Sequence, residues 1–104
     1  MVVHFDEKTF DEAVLGEKPV LVDFWATLCG PCRMIAPAVE ELAADFEGRA
    51  VVGKVDVDEQ TELARRFGIM SIPTLVVMKG GKVVEQAVGA RGKADIAAML
   101  ERHL

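Results

Sequence analysis

Cys29 and Cys32 are the only thiols of the chain and stand three positions apart, separated by Gly30 and Pro31. Two thiols at that spacing can run reversible dithiol–disulfide exchange. One thiolate attacks a substrate disulfide, and the other, one helical turn on, attacks the mixed disulfide and releases the product. The segment Trp25-Ala-Thr-Leu-Cys29-Gly-Pro-Cys32-Arg33 follows a buried-strand pattern and opens a helical one. Pro31 suits the first turn of that helix, where its missing N–H costs nothing. Cys29 then falls near the helix N-terminus, where unpaired N–H groups and the macrodipole favour a thiolate. Two blander readings compete. A C-x-x-C pair is half of a zinc site, but the other candidate ligands, His4 and His103, lie near opposite chain ends without ligand spacing, so no metal is expected. Alternatively the two thiols pack without reacting. Placement at a strand-to-helix junction favours the redox reading over both.

The elements that position this pair follow from hydrophobic spacing. Val20–Trp25 and Ala50–Asp56 are apolar on both faces and rich in β-branched residues, as in strands covered by helices on either side. Between them Ile35, Val39, Leu42 and Phe46 recur at helical spacing, with Pro37 expected to kink the axis and Gly48 to end it. A weak strand at Val2–Phe5 precedes a helix capped by Asp6 and carrying Phe10, Val14 and Leu15. A short helix over Gln60–Phe67 should bury Leu63, Ala64 and Phe67. Thr74–Met78 and Lys82–Val88 read as antiparallel strands joined through Gly80-Gly81, whose positive φ suits a tight hairpin. A last helix carries Ile96, Met99, Leu100 and His103, its charges reading as a solvated face. The class is α/β, a mixed central sheet with helices on both faces. The five methionines read mostly as core, with Met34 and Met70 as candidates for the border of the site.

The chain has 104 residues and 11.3 kDa, the length of one domain, spanning 1–104, with 51% hydrophobic residues to build a core. Its 12 basic against 17 acidic side chains give a net charge of −5, which argues against binding a nucleic-acid backbone. A disulfide between such close cysteines closes almost no loop, so the core must hold the fold. Neither a signal-like start nor a membrane-spanning apolar run is visible, and a cytoplasmic protein is expected.

With these residues in view the chain resembles the thioredoxin family over essentially its whole length, and Cys29-Gly-Pro-Cys32 is that family's form of the motif. The resemblance implies a thioredoxin fold, a five-stranded mixed central sheet flanked by four helices. It implies a protein-disulfide reductase in which Cys29 attacks and Cys32 resolves, maintaining cytosolic thiols and passing electrons to reductive enzymes. Asp23, six residues before Cys29, matches the family's buried aspartate, and Lys54 the lysine near it. Burial should raise the pKa of Asp23, fitting it to move protons to and from Cys32; the alternative is a structural partnership with Lys54. Ile72 and Pro73 match the isoleucine and cis-proline that face the disulfide, and Gly81 the hairpin glycine. Gly89 and Ala90 match the loop beside the site. Together with Trp25, Gly30 and Pro31 they would make a small apolar platform for protein disulfides. The implied partners are disulfide-containing proteins and thioredoxin reductase, fed by NADPH through its flavin. The chain, expected as a monomer, carries no dinucleotide motif and would bind no cofactor, nucleic acid or membrane. One departure stands out: Leu28 occupies the position before Cys29 where the family usually has tryptophan, and Ser71 replaces a common glycine. Rival readings are a binding module indifferent to its cysteines, and an oxidase or isomerase working in the opposite direction.

Overall fold

A computed structural model describes the whole chain, Met1–Leu104. Its elements run β1 (Val3–His4), α1 (Glu7–Val14), β2 (Val20–Trp25), α2 (Gly30–Asp45), β3 (Val51–Asp56), α3 (Thr61–Arg66), β4 (Thr74–Lys79), β5 (Lys82–Val88) and α4 (Lys93–Glu101). The strands form one sheet in the order β1-β3-β2-β4-β5. β2 lies at its centre, parallel to β3 and antiparallel to β4, so the strand leading to Cys29 is walled on both edges.

Alternation along β2 splits the interior into two layers. Leu21 points toward α2 and α4, where it meets Ile35, Val39, Leu42, Ile96 and Leu100. Val20, Val22 and Phe24 point the other way, toward Phe10, Val14 and Leu63 of α1 and α3. A strand buried on both faces needs such apolar residues at nearly every position, and Asp23 is the exception. Local signals fix the joints. Thr9 N–H donates to Asp6 Oδ1 at 2.9 Å and Asp6 N–H to Thr9 Oγ1 at 3.0 Å, a capping box that starts α1. Gly80 and Gly81 take φ of 62° and 78°, which let a two-residue turn join β4 to β5.

Several expectations needed correction. Leu15 is not on the buried face of α1 but caps its end and is 74% exposed. Phe67 and Ala64 are only half-buried. Of the five methionines only Met78 and Met99 are in the core; Met1, Met34 and Met70 are exposed. Residue type alone does not tell a core methionine from a surface one, because the side chain suits both. His103 lies past the end of α4, half-buried against Glu85 rather than on the apolar stripe.

Candidate functional site

The central strand delivers the chain to the site. After Trp25 a turn forms in which Cys29 N–H donates to the Ala26 carbonyl at 3.2 Å. Cys29 then caps α2: its Sγ accepts from Cys32 N–H at 3.1 Å, and Arg33 N–H donates to its carbonyl at 3.1 Å. Pro31 sits in the first turn, where no intrahelical donor is lost. Cys29 and Cys32 are joined as a disulfide with their Cα atoms 5.2 Å apart. The two sulfurs differ in access: Cys32 is 2% exposed, whereas Cys29 is half-exposed at the helix tip beside exposed Leu28, Gly30 and Pro31.

The loop before β4 comes to the same place. The Ile72–Pro73 bond is cis, and the Ile72 carbonyl oxygen lies 3.8 Å from Cys29 Sγ. Ile72 is half-buried and Pro73 buried. Thr74 Oγ1 donates to the Ser71 carbonyl at 2.6 Å and ties this loop to the start of β4. Gly89 N–H donates to the Pro73 carbonyl at 2.8 Å, bringing the Gly89-Ala90 turn alongside. Gly89 adopts φ of 97°, a conformation that glycine takes without strain.

Beneath lies the buried charge. Asp23 is fully buried on β2, in register with Lys54 on β3 and Leu75 on β4. Neither of its carboxylate oxygens has a hydrogen-bond partner. Burial pushes its pKa up to about 6, and the positive charge of Lys54 pulls partly back. Lys54 makes no direct bond to Asp23; its Nζ stands 4.3 Å from the centroid of the Trp25 ring, over its face. Trp25 is half-buried, with its indole N–H enclosed and unpartnered. Sequence reasoning missed this cation–ring contact, although Trp25 and Lys54 face the same way on adjacent strands.

The surface has two shallow depressions. One, of about 240 Å³, is lined by Trp25, Lys54, His4 and Asp56 among others; the second, of about 340 Å³, lies between β5 and α4. Neither is lined by a cysteine. No group of three or more His, Cys, Asp or Glu side chains is arranged to hold a metal ion, and no helix is long and apolar enough to cross a membrane.

The family model described as Thioredoxin matches residues 1–102. Among curated proteins, the thioredoxin of Chlorobaculum thiosulfatiphilum is 50% identical over 99 residues, covering 94% of this chain and 92% of its own length. The thioredoxin of Staphylococcus haemolyticus is 50% identical over 104 residues, covering 99% and 98%. Thioredoxin 1 of a Nostoc species is also 50% identical, over 99 residues, covering 94% and 92%.

Proposed function

The chain belongs to the thioredoxin family and is a thiol–disulfide oxidoreductase, and from that premise we propose that it reduces protein disulfides with Cys29 as nucleophile and Cys32 as resolving thiol. The observation that carries the reading is the difference in access between the two sulfurs, half-exposed against 2% exposed. In the reduced protein the Cys29 thiolate attacks one substrate sulfur; the substrate S–S bond breaks and its other sulfur leaves with the electron pair. Cys32 gives up its proton and attacks Cys29 Sγ. The mixed disulfide breaks, the second substrate thiolate departs, and the chain is left oxidised by two electrons as the Cys29–Cys32 disulfide. The cap bond from Cys32 N–H to Cys29 Sγ and the helix N-terminus favour negative charge on Cys29 in the first step.

Asp23 is the proposed proton acceptor for Cys32. A carboxyl poised near pH 6, on the strand that leads into the site, suits proton transfer near neutrality. Lys54 tunes it through space. Trp25, Gly30, Pro31, Ile72, Pro73, Gly89 and Ala90 are the proposed contact surface. The Ile72 carbonyl beside Cys29 Sγ and the exposed Leu28, Gly30 and Pro31 around it support an extended protein segment as the substrate. Thioredoxin reductase, drawing on NADPH, is the proposed donor that restores the dithiol, in the cytoplasm.

The test follows the reduction of a protein disulfide. Cys29→Ser abolishes turnover, while Cys32→Ser accumulates a covalent complex through Cys29 that mass spectrometry detects. Turnover by Cys29→Ser, or trapping through Cys32 instead, would overturn the assignment. Equilibration with a glutathione buffer checks the direction, since each 30 mV of potential corresponds to about 1.4 kcal/mol in the exchange equilibrium.

A further inference from the structure

We propose that Met70, together with Met34, is a site of reversible peroxide modification that weakens docking of protein substrates at the redox face. The proposal rests on the reading of that face as the substrate contact surface. Met70 is 95% exposed and stands two residues before Ile72, whose carbonyl touches Cys29 Sγ; two residues span at most about 7 Å of chain. Met34 is 77% exposed on α2, the helix that Cys29 caps, about 7.5 Å further along its axis. Leu28, 91% exposed, directly precedes Cys29. Along the chain around the disulfide and in the loops that meet it, the exposed large apolar side chains are thus Leu28, Val88 and the two thioethers, with no aromatic residue among them.

In the oxidised protein both cysteines are held in the disulfide, and no free thiol remains. With the cysteine sulfurs bonded to each other no thiolate competes for a peroxide, and the exposed thioethers are its more nucleophilic targets. Met78 and Met99 are each 3% exposed and out of reach; Met1 is 93% exposed but precedes β1, at the sheet edge opposite β4 and β5. The methionine sulfur attacks one peroxide oxygen with its lone pair and forms an S–O bond. The O–O bond breaks and the second oxygen leaves as water, so methionine is oxidised and peroxide reduced by two electrons each. A flexible apolar side chain becomes a polar sulfoxide on a surface that would bury it against substrate, and methionine sulfoxide reductase chemistry can restore it. The disulfide form is thus the one in which the thioethers, rather than thiols, take up the modification.

The experiment treats the disulfide form with hydrogen peroxide, removes the oxidant and re-reduces the cysteines with a dithiol. It then maps oxygen addition by mass spectrometry and measures reduction of a protein disulfide and of a small aromatic disulfide. Sulfoxide is expected at Met70 and Met34, and at Met1, but not at Met78 or Met99. The KM for the protein substrate should rise about fivefold with kcat unchanged, as expected for losing part of one apolar contact, while the small disulfide is reduced as before. A Met34→Leu/Met70→Leu variant should keep its KM after the same treatment, and sulfoxide reductases should restore the parent. An unchanged KM with both sites oxidised, an equal rise in the leucine variant, or modification confined to Met1 would overturn the proposal. Failure of the untreated protein to reduce either disulfide would instead overturn the reading on which it rests.

Discussion

Asp23 is a carboxylate with no hydrogen-bond partner in the middle of an apolar strand, and its ionisation has a thermodynamic signature. Its pKa in the folded chain, about 6, lies above the ordinary value of 3.8, so the folded state holds the proton more tightly than the unfolded one. Stability from this group is therefore fully present below about pH 4 and lost as pH rises through about 6. The complete loss, from well below pH 4 to well above pH 6, corresponds to about 3 kcal/mol. Asp23→Asn cannot ionise. In urea titrations of the disulfide form, its advantage over the parent should grow by about 2 kcal/mol from pH 4 to pH 8. A difference that stays constant with pH would show that Asp23 does not titrate in this range. The same replacement should slow disulfide reduction if Asp23 accepts the Cys32 proton, so stability and rate would move in opposite directions.

At the scale of elements, the end of α4 is tied to β5 by a charged cluster. Glu85 accepts from Arg102 Nε at 3.1 Å and also from Arg102 Nη2, and His103 Nε2 lies 2.9 Å from Glu85 Oε1. Lys79 of β4 donates to the His103 carbonyl at 2.7 Å. Bonds from Arg102, then from His103, hold the Glu85 carboxyl down to about 2. A depressed carboxylate contributes at neutral pH and stops contributing only as pH falls through its folded value. Glu85→Gln keeps the shape but removes the charge. Amides of residues 101–104 should then exchange faster with deuterium at neutral pH, with β2 and the start of α2 unchanged. Unchanged protection at the end of α4 would mean that the packing of Met99 and Leu100 and the Lys79 bond hold it without the Glu85 charge.

At the scale of the molecule, β1 is paired with β3, and the chain between β1 and α1 meets the sheet at one especially close approach. Gly53 on β3 faces the Phe5 ring, and a Cβ there would overlap it. That ring is 4% exposed and packs edge-on against Phe10, with centroids 5.7 Å apart, so it has no free direction in which to turn. Gly53→Ala should therefore lower the stability by about 1–3 kcal/mol, read as a lower urea midpoint, through overpacking of the layer beneath α1 and α3. The redox helix α2 packs on the other face of the sheet, so disulfide reduction below the transition should proceed at the parental rate. Unaltered stability would mean that Phe5 moves aside without cost.

What was legible in the sequence was whatever is written in local pattern. The cysteine spacing, Pro31 at the helix start, the apolar runs of β2 and β3 and the Gly80-Gly81 turn are each carried by neighbouring residues, and the order of nine elements followed from them. Asp23 stood out as the one charge in a buried strand, and its partner Lys54 came through family resemblance. Tertiary structure decided what depends on chains meeting from afar. It put Lys54 over the Trp25 ring rather than in bonding contact with Asp23, and it paired Glu85 with Arg102 and His103, which a helical pattern alone had left as a solvated face and an apolar stripe. It also turned Met70 outward and Met78 inward along one short stretch of chain. Hydrophobic spacing specifies which face of an element is buried. It does not specify how far the cover over that face extends, and that cover is supplied by segments distant in sequence.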